Sequence, residues 1–143
     1  MADKTVTAAN VLPSQAATIL HERAGATIVQ GDVVYKDSSD GYWKLAQATA
    51  AAASTSAIGI ALNAAVAYQP LAVCTADSDF TPGITMSLSG SADDAVYVVS
   101  GNAAGKIAPV GDLAATQYPI VLMIAKSATK AILRPFQGPT ILS

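Results

Sequence analysis

The sequence predicts a mainly β protein: a small β-barrel or sandwich of short antiparallel strands, with little helix. Three observations favour this fold. Residues 84–89 alternate apolar and polar side chains with period two, the pattern of a half-buried strand. Residues 95–99 form a run rich in valine and tyrosine, which is typical of strands. Short apolar runs also recur along the whole chain between Gly-, Asp- and Ser-containing turns, as in barrels and sandwiches.

The first hairpin is predicted by a strand at residues 33–35, a turn at 37–41 and a returning strand at 42–46. The Asp-Gly dipeptide in this turn supplies the left-handed backbone position that tight turns need. The Ala/Ser/Thr run at residues 48–57 follows. Alanine favours helix, so this run predicts at most a short one, because it has no apolar stripe to pack on a core.

The rest of the chain predicts further strands and turns. In order they are a hairpin at 58–62 and 70–74, a turn at 77–83, strands at 84–89 and 95–99, a turn at 101–105 with a return at 106–109, and strands at 118–125 and 131–133 around a turn at 126–130. The Gly-rich segment 101–105 is one residue too short for a phosphate-binding loop. Ile107 also stands where a hydroxyl residue would bind magnesium, so we predict a hairpin turn there.

With 143 residues, the chain fits one domain. We predict an extended N-terminal arm at residues 1–28, a single β domain at 29–134 and a C-terminal tail at 135–143. The first thirty residues lack strong turn signals. The tail carries two prolines and a glycine, which argues against a central strand.

Two stretches of the sequence look alike. Asp-Val-Val-Tyr at 32–35 matches Asp-Ala-Val-Tyr at 94–97, and Lys-Leu-Ala at 44–46 matches Lys-Ile-Ala at 106–108. Later segments match at similar offsets. This indicates two pseudo-repeated β units of about four strands each around a shared core. Chance similarity within an alanine-rich chain is the alternative.

Composition excludes several classes of protein. The chain is 52% hydrophobic and 13% charged, with 8 Lys+Arg against 10 Asp+Glu and a net charge of −2. It therefore lacks the basic surface that direct nucleic-acid binding requires. One Cys and one His exclude disulfide frameworks and zinc fingers. The uncharged stretch 45–76 is too poor in long aliphatic side chains to span a membrane, and no secretory signal is evident, so we expect synthesis in a cytosol.

Catalytic equipment is scarce. His21 is expected to be an exposed surface residue, and Cys74 a small core residue rather than a nucleophile. Asp77 and Asp79 could begin a calcium loop, but no bidentate Glu follows, because Glu22 is the only Glu. We therefore expect a protein that is not an enzyme and has no catalytic, cofactor-binding or metal site.

A resemblance emerges from two sets of residues. They are 31–35, 44–48, 58–62 and the Gln-Pro pair at 69–70 in the first half, and 94–98, 105–109, 118–119 and 124–128 in the second. Over residues 30–134 the chain resembles the small capsid decoration (cement) proteins of tailed bacteriophages. Members of that family often have Gly just before the Gln-Pro pair, where this chain has Tyr68.

The resemblance implies a structural virion protein, made in the host cytoplasm and located on the outer capsid surface. Such proteins bind the assembled head and bridge neighbouring capsomers, commonly as homotrimers, with the major capsid protein as partner. In such assemblies an extended terminus often reaches onto the shell or a neighbouring subunit. The resemblance therefore implies a capsid or subunit interface in the N-terminal arm, with these candidate residues: Thr5, Val6, Val11, Leu12, Ile19 and Leu20.

Deleting residues 1–20 is then expected to weaken shell binding without unfolding the domain. The alternative function is a carbohydrate- or receptor-binding β module displayed on a virion or cell surface. It would use Tyr42, Trp43 and Tyr68 as exposed aromatic anchors. The alternative reading of Tyr42 and Trp43 is one core residue and one rim residue.

Overall fold

The computed structural model describes residues 3–86 and 95–137, which form a mainly β structure. The described strands are β1 Val11–Leu12, β2 Thr18–Arg23, β3 Val33–Lys36, β4 Trp43–Leu45, β5 Ile58–Ala61, β6 Pro70–Pro82, β7 Val96–Val99, β8 Ile107–Pro109, β9 Ile120–Ala125 and β10 Ala131–Gln137. A short helix, α1 Ala51–Thr55, and 3-10 helices at Ala8–Asn10 and Val110–Asp112 complete the described elements. The predicted hairpins around 37–41 and 101–105 and the predicted short helix are confirmed.

Eight of the strands form one curled antiparallel sheet in the order β4-β3-β5-β6-β10-β9-β7-β8, while β1 and β2 pair with β6 beside it. The curl brings the two ends of the sheet together, because residues that follow β4 bond to the β7–β8 hairpin. Gly105 N–H donates to Ala46 O over 2.7 Å, and Ala48 N–H donates to Ser100 O over 2.9 Å. The predicted barrel-like β fold is confirmed.

The sheet consists of two four-stranded units with the same strand order. In the first unit, β3 lies between β4 and β5, and β6 follows β5; in the second, β7 lies between β8 and β9, and β10 follows β9. The units join through the antiparallel β6–β10 pair. The register is not repeated, because Tyr35 pairs with Lys44 whereas Tyr97 pairs with Pro109. The duplication is therefore one of topology, and the aligned Lys44 and Lys106 are not equivalent in the sheet.

Two apolar clusters stabilise the fold. The larger one fills the concave side of the sheet and takes side chains from both units; its largest members are Phe80, Tyr97, Ile60, Ile107, Ile120, Leu122, Met123 and Leu133. The smaller one lies on the other face of the first unit and contains Ala24, Ile28, Val34, Trp43, Ala61, Ala65, Leu71 and Val73. Among residues 3–86 and 95–137, this second core belongs to the first unit alone.

The predicted turn at 77–83 is largely wrong, because β6 continues through it to Pro82. Phe80 is fully buried, and Ala131 of β10 lies opposite it. Asp77, a typical turn residue, is 2% exposed, and its carboxylate is satisfied by Ser14 from a distant part of the chain. A long-range contact thus overrides the local turn signal.

Two predicted boundaries also change. Residues 84–86 form no strand, although Ile84 and Met86 are buried; residues 87–89 lie outside the described part of the chain. The expectation that the prolines keep 135–137 out of the sheet is wrong, because β10 runs to Gln137 in the middle of the sheet. Pro135 is accommodated where the β9–β10 register shifts, between Leu133 and Phe136. Residues 138–143 of the predicted tail lie outside the described part.

The β5–β6 connection places Tyr68 in the left-handed region, with φ 71°. This conformation favours glycine, and a side chain there costs about 1 kcal/mol or more. The antiparallel β5–β6 pair nevertheless forms. Its connection is fastened by bonds to the N-terminal segment, since Tyr68 N–H donates to Ala24 O and Arg23 donates to Tyr68 O.

Candidate interaction surfaces

The N-terminal segment lies on its own domain. β1 and β2 run antiparallel along one side of β6, with Val11 opposite Pro82 and Ile19 opposite Cys74. Deleting residues 1–20 would remove part of this ladder and the buried Val11. The expectation that this deletion leaves the domain intact is therefore contradicted by the pairing of β1 and β2.

A hydrogen-bonded contact fixes the chain between β1 and β2. Ser14 donates to the Asp77 carboxylate through its backbone N–H, over 2.7 Å, and through its Oγ. Burial raises the pKa of Asp77, but the hydrogen bonds from Ser14 and from the Asp79 N–H outweigh burial. The pKa of Asp77 therefore lies below its usual value, and the carboxylate is charged at neutral pH.

Residues 3–7 cross to the second unit. Lys4 N–H donates to Ile107 O over 2.7 Å, and the Asp3 carboxylate accepts a 2.6 Å hydrogen bond from Ser100 Oγ. Val6 packs over Gly31 and Gly83, where an added Cβ would lie 2.6 Å and 3.4 Å from Val6 Cγ1. Both glycines have positive φ, so these positions leave space for Val6 in a backbone geometry that favours glycine.

The six predicted interface residues fall into two groups. Val11 is 1% exposed and half-buried Val6 packs against the core, so both serve the fold of their own chain. Thr5 is exposed, and Leu12, Ile19 and Leu20 are 55%, 37% and 39% exposed. We call the exposed edge that carries Leu12, Ile19 and Leu20 the β1–β2 surface. Ile19 and Leu20 are neighbours in β2, so their side chains lie on opposite faces of this edge. Within the described residues, the outer edge of β2 has no partner strand, so its backbone is available for strand addition.

A second apolar surface was not predicted. On the outer face of the second unit, Val96 of β7, Ile124 of β9 and Ile132 of β10 lie opposite one another in one row. Ile124 is 50% exposed and Ile132 39%, and Phe136 further along β10 is 77% exposed. We call this set the second-unit face. The sequence carries a signal for it, since the continuous apolar run 120–125 must place aliphatic side chains on both faces of its strand.

A shallow concavity of about 230 Å³ lies on the outer side of the first unit. It is lined by Thr27, Ile28, Val29, Ala64, Ala65, Val66 and Gln69, none of which is ionisable. Val29 and Val66 on its surface are 50% and 51% exposed. This concavity is a third place where apolar side chains meet solvent.

The aromatic residues separate as core and rim. Trp43 is fully buried in the smaller cluster, so it is not an exposed anchor. Tyr42 is half-buried and packs edge-on against Tyr68, with ring centroids 5.7 Å apart and an interplanar angle of 77°. Tyr68 itself is 65% exposed. Of the three predicted anchors, Tyr68 is the accessible one.

The reactive side chains lie apart. His21 is exposed on β2, and Cys74 is buried in the core. Burial, and to a lesser degree the charge of Asp77, raises the pKa of the Cys74 thiol to about 11, which disfavours the thiolate. Among residues 3–86 and 95–137, no group of three or more His, Cys, Asp or Glu side chains is placed to hold a metal ion. No helix in the same residues is long and apolar enough to cross a membrane.

Comparison of the chain with protein-family models, with curated proteins and with solved structures gives no significant match.

Proposed function

We propose that this chain is a structural virion protein that binds the outer surface of an assembled phage head and bridges neighbouring capsomers. The observation that carries the proposal is the presence of separate exposed apolar surfaces on one closed β body. They are the β1–β2 surface, beside β6, and the second-unit face, on strands β7, β9 and β10. A bridging protein needs more than one contact surface, and exposed apolar side chains are typical of such surfaces.

The β1–β2 surface is the proposed contact with the major capsid protein. Leu12, Ile19 and Leu20 offer apolar side chains, and the free edge of β2 offers backbone groups to a capsid strand. β2 also carries the charged residues Glu22 and Arg23, so a capsid strand on this edge would need partners for both charges.

Weak contacts add up when several act together. As a homotrimer, the protein would touch several capsomers at once, and each bound subunit raises the effective concentration of the others. The proposed location is the outer capsid surface, after synthesis in the host cytoplasm.

Co-sedimentation with heads tests the proposal. The purified chain is mixed with expanded heads of the phage that encodes it and, separately, with isolated capsid subunits. We expect binding to the heads alone. The double variant Leu12→Ser, Ile19→Ser should weaken head binding by about tenfold or more, since both side chains are accessible contact groups. Ala52→Ser, at an exposed alanine of α1, is the control and should bind as the wild type does.

The proposal fails if the wild-type chain does not sediment with heads. If the double variant binds heads as tightly as the wild type, the β1–β2 surface is not the contact with the capsid.

The second candidate function is a carbohydrate- or receptor-binding module. The exposed Tyr68 ring, held at positive φ and braced edge-on by Tyr42, favours it, because exposed aromatic rings stack on sugars. A glycan array with wild-type protein and Tyr68→Ala tests it. Loss of a glycan signal in the variant supports this function, and the absence of any wild-type signal rejects it.

A further inference from the structure

We propose that residues 3–7 form a latch: they extend the closure between the two ends of the sheet along β8, and they open as one unit while the sheet stays folded. The latch is a conformational device within a single copy of the chain. It goes beyond the proposed function and does not rest on it, because every contact that carries it lies within this chain.

The N-terminal side of the chain caps both outer strands of the sheet. β4 and β8 stand at the two ends of the strand order. Besides its pairing with β3, β4 accepts a 2.7 Å hydrogen bond at Trp43 O from Gly25 N–H. Besides its pairing with β7, β8 accepts a 2.7 Å bond at Ile107 O from Lys4 N–H. An outer strand presents unpaired backbone groups, so each of these bonds satisfies part of an edge.

The two caps differ in how they are held. Gly25 lies two residues after β2, which pairs with β6 over its whole length, so the cap on β4 is anchored by a ladder. Residues 3–7 belong to no strand in the described structure. They are held at one end by the bond to Ile107 O, and at the other by Thr7 N–H, which donates to Gly83 O over 2.8 Å. The cap on β8 is therefore the one that can be released without breaking a ladder.

The Asp3 carboxylate fastens the latch to the turn between β7 and β8. Ser100 is fully buried, and its Oγ accepts the Asn102 N–H over 2.9 Å and donates to Asp3 Oδ1 over 2.6 Å. Asn102 Nδ2 donates to the same oxygen over 3.3 Å. The turn of the first hairpin carries its own carboxylate, since Asp37 Oδ1 accepts the Ser39 N–H over 2.9 Å. The second turn receives its carboxylate from the latch.

A cavity of about 380 Å³ lies between the latch and the rest of the domain. Lys4 and Thr5 line it on the latch side, and Asp32 and Lys106 line it on the other. The middle of the latch thus makes few close contacts with the domain, and lifting it gives up little packing.

The connection to the rest of the chain permits this motion. Residues 7–10 are exposed, and the 3-10 helix at Ala8–Asn10 buries no residue. Val11, which comes next, is 1% exposed and pairs with Pro82 of β6, so it is fixed. Exposed backbone with few buried contacts opens at low free-energy cost, and we place the hinge at residues 8–10. Opening about this hinge uncovers the edge of β8 at Ile107 and the cavity beneath the latch.

Hydrogen exchange of the purified chain, followed by NMR, tests whether the latch opens locally. The amides of Lys4 and Thr7 are donors in the closed form, so their exchange requires opening. Both should exchange at least about tenfold faster than the bonded amides of β6, at rates that low urea does not change, because a local opening exposes little surface. Exchange at the rate and urea dependence of β6 overturns the inference, and so does exchange at the rate of an unstructured peptide.

Two variants test whether the ends of the latch open together. Asp3→Ala releases the end at the second unit, and Val6→Ala releases the end that packs beside Gly31 and Gly83. Asp3→Ala is read at the Thr7 amide and Val6→Ala at the Lys4 amide, so the substitution does not alter the intrinsic rate of the amide measured. Each should raise that rate by about fivefold or more. A response confined to the neighbouring amide indicates fraying of the chain end and overturns the latch.

Thr5→Ala is the matched control, because it lies within the latch and its side chain is exposed. It should leave the exchange of Lys4 and Thr7 unchanged, and a rise equal to that of the other two variants contradicts the assignment of the fastening contacts. The amides of β6 report the stability of the sheet in every variant, which separates release of the latch from general destabilisation.

Trypsin provides an independent readout, because it cleaves after Lys4 when the latch is open. Ser100→Ala leaves the cleavage site unchanged and removes the hydroxyl that holds Asp3. It should be cut after Lys4 about fivefold faster than the wild type, as judged by mass spectrometry. Equal cleavage rates overturn the role of this contact in the latch. None of these measurements involves heads, so the latch and the capsid function succeed or fail separately.

Discussion

The two β units share a strand order but differ in what lies on their outer faces. In the first unit, Val34 and Trp43 are fully buried as members of the smaller apolar cluster. In the second unit, Ile124 and Ile132 meet solvent. The same topology therefore produces a closed core in one place and an exposed surface in the other, so topology alone does not determine which faces of a sheet are buried.

The difference follows from the path of the N-terminal segment. β2 and the residues after it lie over the first unit, bonded to β6 and to the β5–β6 connection. The first described residues of the segment reach the second unit, where Asp3 and Lys4 contact Ser100 and Ile107. Among the described residues, one such segment serves two units, and it lies along the first of them.

The largest expected effect tests whether the outer faces of the two units contribute differently to the free energy of unfolding. Trp43→Ala should lower the free energy of unfolding by about 3–5 kcal/mol, because it empties a fully buried site. Phe136→Ala, at an exposed site, should change it by about 0.5 kcal/mol or less. Urea unfolding of the purified chain measures both. Similar losses for the two variants would mean that the faces are energetically alike.

Trp43→Phe sharpens this result. It keeps a buried ring and removes the Trp43 Nε1–H, which is buried without a hydrogen-bond partner among the described residues. Its cost should therefore be much smaller than that of Trp43→Ala.

Gly59 of β5 and Ile124 of β9 provide a second comparison, because each lies beside the central strand of its unit. Gly59→Ala should destabilise the fold by about 3 kcal/mol, because the added methyl meets the Cys74 backbone, which cannot move aside as a side chain can. Ile124→Ala should cost about 1 kcal/mol or less, because half of the side chain is already in water. Thermal unfolding of both variants checks the order, and a costlier Ile124→Ala would contradict it.

Acid should weaken the contact between Ser14, in the segment that joins β1 and β2, and Asp77 of β6. The pKa of Asp77 is lowered in the folded protein, so its contribution to stability is fully present above the unfolded value of about 3.9 and is lost as pH falls through the folded pKa. Asp77→Asn should cost about 1–2 kcal/mol near neutral pH and flatten the acid limb of a stability–pH curve.

Part of the acid limb should remain in Asp77→Asn. A hydrogen bond from Lys44 lowers the pKa of Asp37 to about 2, and the variant does not affect this pair. An acid limb identical to that of the wild type would show that the Ser14–Asp77 contact has no role in acid unfolding.

The smallest effect concerns the link between the N-terminus and the second unit. Asp3→Ala removes the acceptor of the Ser100 Oγ hydrogen bond and should cost about 1 kcal/mol. A double-mutant cycle with Ser100→Ala measures the coupling. Zero coupling would mean that residues 3–7 do not fasten the second unit.

Local signals were sufficient for the hairpins. An Asp-Gly turn and flanking β-branched runs predicted β3 and β4, and Gly105 at φ 80° ends the second predicted turn. Non-local contacts decided the elements that were missed. Asp77 reads as a turn residue until Ser14 satisfies it, and the Pro135 position is tolerated because the β9–β10 register shifts there.

The candidate surfaces were predicted only in part. Neighbouring Val11 and Leu12 are equally apolar in sequence, but Val11 is buried near Gly31 and Gly83, whereas Leu12 faces solvent. That distinction depends on tertiary packing between distant segments, which no local pattern encodes. Exposure of Ile124 likewise depends on which unit the N-terminal segment covers.

β6 links the N-terminal strands and the two units. Over its 13 residues it pairs with β1, β2 and β5 of the N-terminal side and with β10 of the second unit. We therefore expect the two units to unfold together in a single cooperative transition. We expect β6 to bear much of a pulling force on the folded chain. Separating β6 from its neighbours would require the hydrogen bonds of several strand pairs to break together.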